Sequence, residues 1–273
     1  MLQDLTYGIL DNQYKNLSPE VGDVALCFRD GQVLLHRDAN DRLTLTRFSS
    51  PAPGRYLFSL QENRYFLYSD DTADWESDFS WEPVRQLRQL QSKDICFAIM
   101  TGWHLYNWYE SNRFCGKCGT VTVHDNLQRM LSCPHCKNMI FPRINPAVII
   151  AVTDGDRLLL SKYAGRAYTR YALLAGFTEI GETPEQTVAR EVMEEVGLKV
   201  KNIRYYKSQP WGVDGNLLLG FFCDLDGDST IHLDETELSM AAFYPRDALP
   251  AKDDGISLTR EMIRVFEEGR EPK

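Results

Sequence analysis

Acidic residues concentrate in one stretch of the chain, from Gly176 to Leu198. Its 23 residues contain six glutamates and one arginine, Arg190. In a helix, Glu191 and Glu195 lie one turn apart with Glu194 beside them, so the carboxylates share a face. Like charges at this spacing repel each other, and oxygen ligands of this kind select hard ions such as Mg²⁺ or Mn²⁺. The stretch therefore predicts a divalent-metal site, and the alternative is a solvated acidic helix face.

The residues around these acids predict the helix that must position them. Thr183 can cap a helix with Pro184 at its first position, and Gln186 is placed to close a capping box. Gly197 is a typical C-terminal stop. Aliphatic residues recur every four positions and can face a core: Val188, Val192 and Val196.

A second candidate metal site is built from cysteines. Two CxxC pairs, Cys115 with Cys118 and Cys133 with Cys136, are separated by fourteen residues. This pattern predicts a zinc ribbon in which two knuckles fill all four positions of a structural Zn²⁺ site, whereas two redox motifs are the less favoured alternative. His135 lies inside the second knuckle and is not expected to be a ligand. The other three of the seven cysteines are scattered, which fits a reduced compartment rather than a disulfide framework.

Composition limits the class of protein. The chain has 273 residues, 43% of them hydrophobic and 25% charged, with no apolar run near the roughly 18 residues that span a bilayer. Its start shows no basic and apolar signal segment. We therefore expect a cytoplasmic protein without a membrane partner. The net charge of −9 argues against broad binding to a nucleic-acid backbone.

Hydrophobic periodicity predicts an α+β protein of three parts. Short β-type runs, including a hairpin around Asp30-Gly31, form a β-rich N-terminal domain over residues 1–110. That domain ends in a linking helix whose aromatic stripe, with His104, is expected in the core. The zinc ribbon covers residues 111–142. Residues 143–273 predict an α/β/α sandwich with a mixed sheet.

Several motifs together resemble one family. The stretch 176–198 matches the Nudix hydrolase signature at all nine of its constrained positions. The paired cysteines, Phe141-Pro-Arg and Ser208-Gln-Pro-Trp211 are similar to the NADH pyrophosphatase branch of that superfamily. The resemblance covers residues 95–270 closely. It implies hydrolysis of the dinucleotide NAD(H) to nicotinamide mononucleotide and AMP, with NAD-capped RNA 5′ ends as a further substrate. It also implies a homodimer with structural zinc and catalytic Mg²⁺ or Mn²⁺.

The resemblance also implies a role for individual residues. The catalytic metal shell would comprise Glu191, Glu195, Glu237 and the carbonyl of Ala175. Glu194 would position or deprotonate the attacking water, and Arg190 would orient Glu182.

Substrate contacts follow from the same resemblance. Phe177 would stack on a substrate base, and Phe141 stands where the family usually has tyrosine. The recognition loop would comprise Gln209, Pro210, Trp211, Gly212, Val213, Asp214, Gly215 and Asn216.

That loop departs from the family pattern. Where the family usually has Pro-Phe-Pro, this chain has Gly212-Val213-Asp214. Because glycine loosens a backbone that proline would stiffen, the sequence predicts a flexible loop and weak discrimination among adenine dinucleotides.

Two other functions compete with the pyrophosphatase. One is a Nudix pyrophosphatase that prefers ADP-ribose or another nucleoside diphosphate derivative. The other is a non-catalytic protein that binds RNA or senses a ligand, for which a degraded acidic stretch would be the sign. Here every acid of the signature is present.

Overall fold

The computed structural model describes residues 1–5, 8–68, 78–89, 91–165, 169–250 and 255–272. The chain divides into two compact units. The N-terminal unit contains Leu2–Arg143 together with Gly212–Gly215. The C-terminal unit contains Met1, Ile144–Trp211 and Asn216–Lys273.

Short strands are the main regular elements of the N-terminal unit, as its β-type runs predict. They pair into a four-stranded sheet of order β1-β6-β7-β2 and a second sheet in which β4 pairs with β3, β5 and β8. Asp30 and Gly31 both have positive φ, 49° and 79°, and close the predicted β3-β4 hairpin. The strands are Leu10–Asp11 (β1), Val24–Leu26 (β2), Phe28–Arg29 (β3), Gln32–Arg37 (β4), Leu43–Leu45 (β5), Arg55–Leu60 (β6), Asn63–Leu67 (β7) and Phe79–Pro83 (β8).

A 3₁₀ helix, Val84–Gln89, leads to the longest helix, α1, at Lys93–Ser111. The aromatic stripe of α1 is largely in the core, as predicted, with Phe97 and Trp108 buried. His104 is a correction to that prediction because it is half-exposed. Its Nε2 lies 2.7 Å from the carbonyl oxygen of Arg143, so the ring satisfies its polar nitrogen at the surface of the core.

The cysteine-rich segment folds as a small three-stranded sheet. Its strands are Val123–His124 (β9), Leu131–Ser132 (β10) and Met139–Ile140 (β11), in the order β11-β10-β9. The four sulfurs of the two CxxC pairs all lie within 4.8 Å of one another. The hydroxyl and backbone of Thr120 lower the pKa of Cys118 to about 5. Four thiols gathered in this way form the predicted closed Zn²⁺ site.

The C-terminal unit contains a six-stranded mixed sheet. Strand β12 pairs in parallel with β16, while the other pairings are antiparallel, in the order β15-β16-β12-β13-β17 with β14 on β12. The elements are Asn145–Asp154 (β12), Arg157–Tyr163 (β13), Leu174–Phe177 (β14), Pro184–Val196 (α2), Val200–Trp211 (β15), Asn216–Leu225 (β16), Leu238–Pro245 (β17), a 3₁₀ helix at Arg246–Ala248 and Leu258–Glu267 (α3).

Each face of this sheet carries one helix. On one face α2 buries its three valines completely, against strand residues such as Val148 and Phe221. On the other face α3 buries Met262 and Phe266 against Ile149 and Phe222. A fully buried side chain of this size contributes about 1.5–3 kcal/mol, so each helix is held mainly by this burial. The α/β/α sandwich and the α+β class are thus confirmed. Among the described residues no helix is long and apolar enough to cross a membrane.

The cysteine cluster generates the first prediction. Metal analysis of protein purified without chelator should give about one zinc per chain. Cys118→Ser should lower both the zinc content and the unfolding temperature, because binding of a structural metal is coupled to folding. As a control, His135→Ala changes the second knuckle without removing a thiolate and should keep the zinc. Wild-type protein without zinc would contradict this assignment.

Candidate active site

The first turn of α2 is closed by the capping box that the sequence predicts. The Thr183 hydroxyl accepts from the Gln186 backbone N–H at 3.3 Å, and the Gln186 side chain accepts from the Thr183 N–H at 2.8 Å. Gly197 ends the helix with a left-handed φ of 69°. The caps set where α2 begins and ends. The four-residue spacing of its valines then determines which side of the helix faces the sheet.

Three acids of α2 differ in their exposure to solvent. Glu195 is 3% exposed, and its backbone carbonyl accepts from the Asp234 N–H at 3.0 Å. The side chain of Glu191 is 13% exposed and that of Glu194 is 58% exposed. Solvent exposure therefore increases from the buried Glu195 through Glu191 to the exposed Glu194.

Gly176 on β14 makes room for this cluster. A Cβ atom built on Gly176 would lie 1.9 Å from the carboxyl carbon of Glu191 and 2.0 Å from one of its oxygens. Real Cβ atoms do not approach other atoms so closely. The signature glycine is therefore required for space, so that a carboxylate of α2 can lie directly against the backbone of β14.

Arg190 joins the acids to the preceding loop and strand. Its guanidinium donates to Glu182 at 2.6 and 3.0 Å, to Glu191 at 2.8 Å and to Glu194 at 2.7 Å. A fifth bond, of 2.9 Å, reaches the carbonyl oxygen of Phe177. One cation thus orients three carboxylates and one backbone group.

The same contacts shift two pKa values in opposite directions. Hydrogen bonds from Arg190 lower the pKa of Glu182 to about 2. Burial is the main cause that raises the pKa of Glu191, and the charges of Glu194 and Glu237 add to it against the lowering effect of Arg190. Glu194 and Glu237 therefore repel the carboxylate of Glu191, although the guanidinium of Arg190 already contacts it.

Glu237 and Ala175 are the other two predicted metal ligands. Glu237 immediately precedes β17 and is exposed, and its carbonyl accepts from the Ala164 N–H at 2.8 Å. Ala175 lies on β14 opposite Ile149 of β12, next to Gly176. The predicted ligands are carboxylates and one backbone carbonyl, so all donor atoms are oxygens. The close approach at Gly176 brings the carboxylate of Glu191 against β14. Hard divalent cations prefer donors of this chemical type.

The predicted substrate residues of the C-terminal unit differ in their exposure to solvent. Phe177 is 56% exposed, as a stacking residue must be. Pro210 is exposed and Trp211 half-exposed. Asn216 begins β16, and its side-chain oxygen is buried and has no hydrogen-bond partner among the residues that the structure describes.

Gln209 is a correction to the predicted set. It is fully buried, and its amide donates to the Ile256 carbonyl at 2.8 Å and accepts from the Leu258 N–H at 2.7 Å. Both ends of the amide therefore hold the start of α3, which assigns the buried side chain of Gln209 a structural contact.

The other predicted substrate residues belong to the N-terminal unit. Phe141 is 53% exposed. Gly212 and Val213 are buried, Asp214 is exposed and Gly215 is half-buried with a positive φ of 71°. Gly212 and Val213 pack against the rest of that unit, and this burial argues against the expected flexibility at these two positions.

One residue of the acidic cluster was missed by sequence reasoning. The Thr187 hydroxyl donates to Glu182 at 3.0 Å, on the carboxylate that Arg190 also holds. Thr187 is fully buried beside Val188 on the core-facing side of α2. In the sequence, this contact could have been suspected because position 187 has a hydroxyl-bearing threonine where an aliphatic residue could face the core.

Comparison with known proteins gives the family. Residues 143–266 match the NUDIX domain model, and residues 110–141 match the NADH pyrophosphatase zinc ribbon domain model. An NAD-capped RNA hydrolase NudC of Erwinia tasmaniensis is 36% identical over 200 residues, which cover 70% of this chain and 76% of that protein. The protein of the same name from Citrobacter koseri is 34% identical over 231 residues. These residues cover 81% of this chain and 88% of that protein.

Among solved structures, a NUDIX hydrolase from Nitrosomonas europaea is similar to this chain, with a TM-score of 0.49 and 22% sequence identity. The match covers 57% of this chain and 90% of that chain. The two matched domains and the similarity along most of the relatives' length show that this chain belongs to the Nudix hydrolases, in the branch that carries the NADH pyrophosphatase zinc ribbon.

Proposed function

We propose that this protein hydrolyses the pyrophosphate bond of NAD(H), giving nicotinamide mononucleotide and AMP, and that it removes NAD caps from RNA 5′ ends. The observation that carries the proposal is the complete acidic cluster of α2, oriented by Arg190 and packed onto Gly176. The relatives named NAD-capped RNA hydrolase support the substrate class. An intact cluster of this kind argues against the non-catalytic alternative.

The metal ligands in this proposal are Glu191, Glu195, Glu237 and the carbonyl of Ala175. A bound Mg²⁺ or Mn²⁺ would polarise the phosphoryl oxygens and lower the pKa of a coordinated water. Burial raises the pKa of Glu191 most, and the charges of Glu194 and Glu237 add to it. A cation bound beside this carboxylate would favour its charged form, which supports the assignment.

Glu194 is the proposed residue that positions or deprotonates the attacking water. Its carboxylate is 58% exposed, so water can reach it, and its bond to Arg190 limits its orientation. Arg190 and Glu182 are positioning residues. The five bonds of the guanidinium leave it committed to protein groups, so it holds the acids in place rather than binding phosphate.

Substrate recognition is assigned to Phe177, Phe141 and the segment from Pro210 to Asn216. The exposed rings offer stacking faces for the nicotinamide or adenine base. A preference for ADP-ribose is not favoured, since the matched ribbon model and the relatives point to NAD(H) and NAD-capped RNA.

We propose a homodimer, a cytoplasmic location, and a division at residues 1–110, 111–142 and 143–273. The family resemblance supports the first, and the composition and motif spacing support the second and third. We also propose that the zinc ribbon has a structural role and takes no part in the chemistry.

The substrate assignment can be tested by comparing products. NADH, NAD, ADP-ribose and NAD-capped RNA should be supplied in parallel with Mg²⁺ or Mn²⁺. We expect nicotinamide mononucleotide and AMP from NAD(H), and a 5′-monophosphate RNA from the capped RNA. Higher kcat/KM for ADP-ribose than for every NAD substrate would establish the alternative pyrophosphatase instead.

Substitutions on α2 test the metal assignment. Glu191→Gln and Glu195→Gln keep the side-chain shape but remove a charged ligand, so kcat should fall by ~100-fold or more while the protein stays folded. Glu185→Gln makes the same change on an exposed position of the helix and should leave kcat near the wild-type value. Near-normal activity of Glu195→Gln at saturating Mg²⁺ would show that the metal lies elsewhere.

The Glu182–Arg190 pair predicts a pH dependence of stability. The pKa of Glu182 in the folded protein, about 2, lies below the ordinary glutamate value of 4.5. The pair therefore stabilises the fold fully above about pH 4.5, and this contribution is lost as the pH falls toward 2. In denaturant unfolding, wild type should be more stable than Glu182→Gln at pH 6, and the difference should shrink between pH 4.5 and 2. A difference independent of pH would contradict the pairing.

A further inference from the structure

The segment Gly212–Gly215 is held by the N-terminal unit although it joins two strands of the C-terminal sheet. Gly212 makes the tightest contact. A Cβ atom built on it would lie 2.3 Å from the carbonyl oxygen of Met100 on α1 and 2.8 Å from the carbonyl carbon. The φ of Gly212 is outside the left-handed region, so the need for glycine comes from space alone. Any side chain here must displace either the segment or a backbone group inside a helix.

Val213 and Trp103 make the second contact. Val213 is 8% exposed, and its carbonyl accepts from the indole N–H of Trp103 at 3.3 Å. The indole is itself held in place, with its ring centroid 5.5 Å from that of Phe28 and 5.4 Å from that of Tyr106. A donor on a packed ring fixes the carbonyl more firmly than a donor on a mobile side chain would.

Asp214 makes the third contact, an ion pair with Arg85. The side chains of Arg85 and Asp214 are 69% and 39% exposed, and exposed pairs of this kind contribute little to stability. The Arg85–Asp214 pair therefore orients the 212–215 segment, while the contacts of Gly212 and Val213 contribute most to holding it on the N-terminal unit.

We propose that Trp103 and the α1 backbone at Met100 position the substrate-recognition segment, with Arg85 as a minor third anchor. This inference rests on the proposed function, in which the segment from Pro210 to Asn216 contacts the dinucleotide. Gly212 follows Trp211 directly and Gly215 precedes Asn216, so an anchored turn restricts both of these neighbours through the chain. A preorganised segment loses less conformational entropy on binding, which lowers KM.

Anchoring also explains how this chain can lack Pro-Phe-Pro at positions 212–214. Prolines would stiffen the segment locally, whereas here the stiffness comes from contacts with α1 and the 3₁₀ helix. A proline or alanine at position 212 would meet the Met100 carbonyl oxygen, so restoring the family residue there should harm binding rather than improve it.

The test uses two variants and one control in the full-length protein. Trp103→Phe keeps an aromatic ring but removes the N–H donor, and Gly212→Ala adds the Cβ that meets Met100. Gln86→Ala is the control, because Gln86 lines the same cavity of about 310 Å³ as Trp103 and Val213 but is outside the proposed contacts. Each protein is measured by hydrogen–deuterium exchange of the peptide covering 209–217, by thermal unfolding, and by KM and kcat for NADH.

We expect faster exchange of the 212–215 amides in both variants and unchanged exchange in the control. The KM for NADH should rise by ~3- to 10-fold in Trp103→Phe, the range of one lost hydrogen bond, with kcat within ~2-fold of wild type. Gly212→Ala should raise KM further. A role in stability alone would lower the unfolding temperature and leave KM unchanged.

The outcomes separate this inference from the proposed function. Exchange equal to wild type in both variants overturns the anchoring. Faster exchange with wild-type KM values for NADH, NAD and ADP-ribose overturns the link to substrate binding. Wild-type protein that cleaves none of these dinucleotides overturns the proposed function, while the exchange data still decide whether Trp103 and Met100 hold the segment.

Discussion

The guanidinium of Arg190 is the constraint on which the rest of the site depends. It binds Glu182 in the loop before α2, Glu191 and Glu194 on the helix, and the carbonyl of Phe177 on β14. Strand, loop and helix are thereby fixed relative to one another at the point where the acids meet. Without this cation the carboxylates would repel each other and splay, because charges of one sign at helical spacing destabilise the arrangement.

A single arginine does not neutralise the whole cluster. Glu191 still experiences the charges of Glu194 and Glu237, and Glu195 is buried nearby on the same helix. The fold holds this excess negative charge with a buried valine face on the other side of α2 and a glycine that admits a carboxylate to the strand. Packing energy on one face of the helix thus offsets electrostatic repulsion on the other, and the unbalanced charge is available to a divalent cation.

The two other specialised parts of the chain are stabilised in different ways. In the cysteine ribbon the buried apolar side chains of the described residues, apart from cysteines, are Met130 and Leu131. Four convergent thiols that can bind a structural metal supplement this small core. The 212–215 segment has neither proline nor metal, and its order comes from close contact with α1.

The sequence alone determined the parts of this protein that rest on local rules. The ends of α2 follow from Thr183, Gln186 and Gly197, and the zinc ligands follow from the spacing of two CxxC pairs, because both depend on residues close together in the chain. The mixed sheet and its two helical layers were also predicted, since periodicity reveals the buried faces. Only the tertiary structure decided the burial of Gln209 against α3, the bond from Thr187 to Glu182, and the packing of Gly212 against Met100. Each of these joins a residue to a partner whose position depends on how whole elements pack. Glycine in a sequence signals freedom of the backbone, but the space around it determines whether that freedom remains.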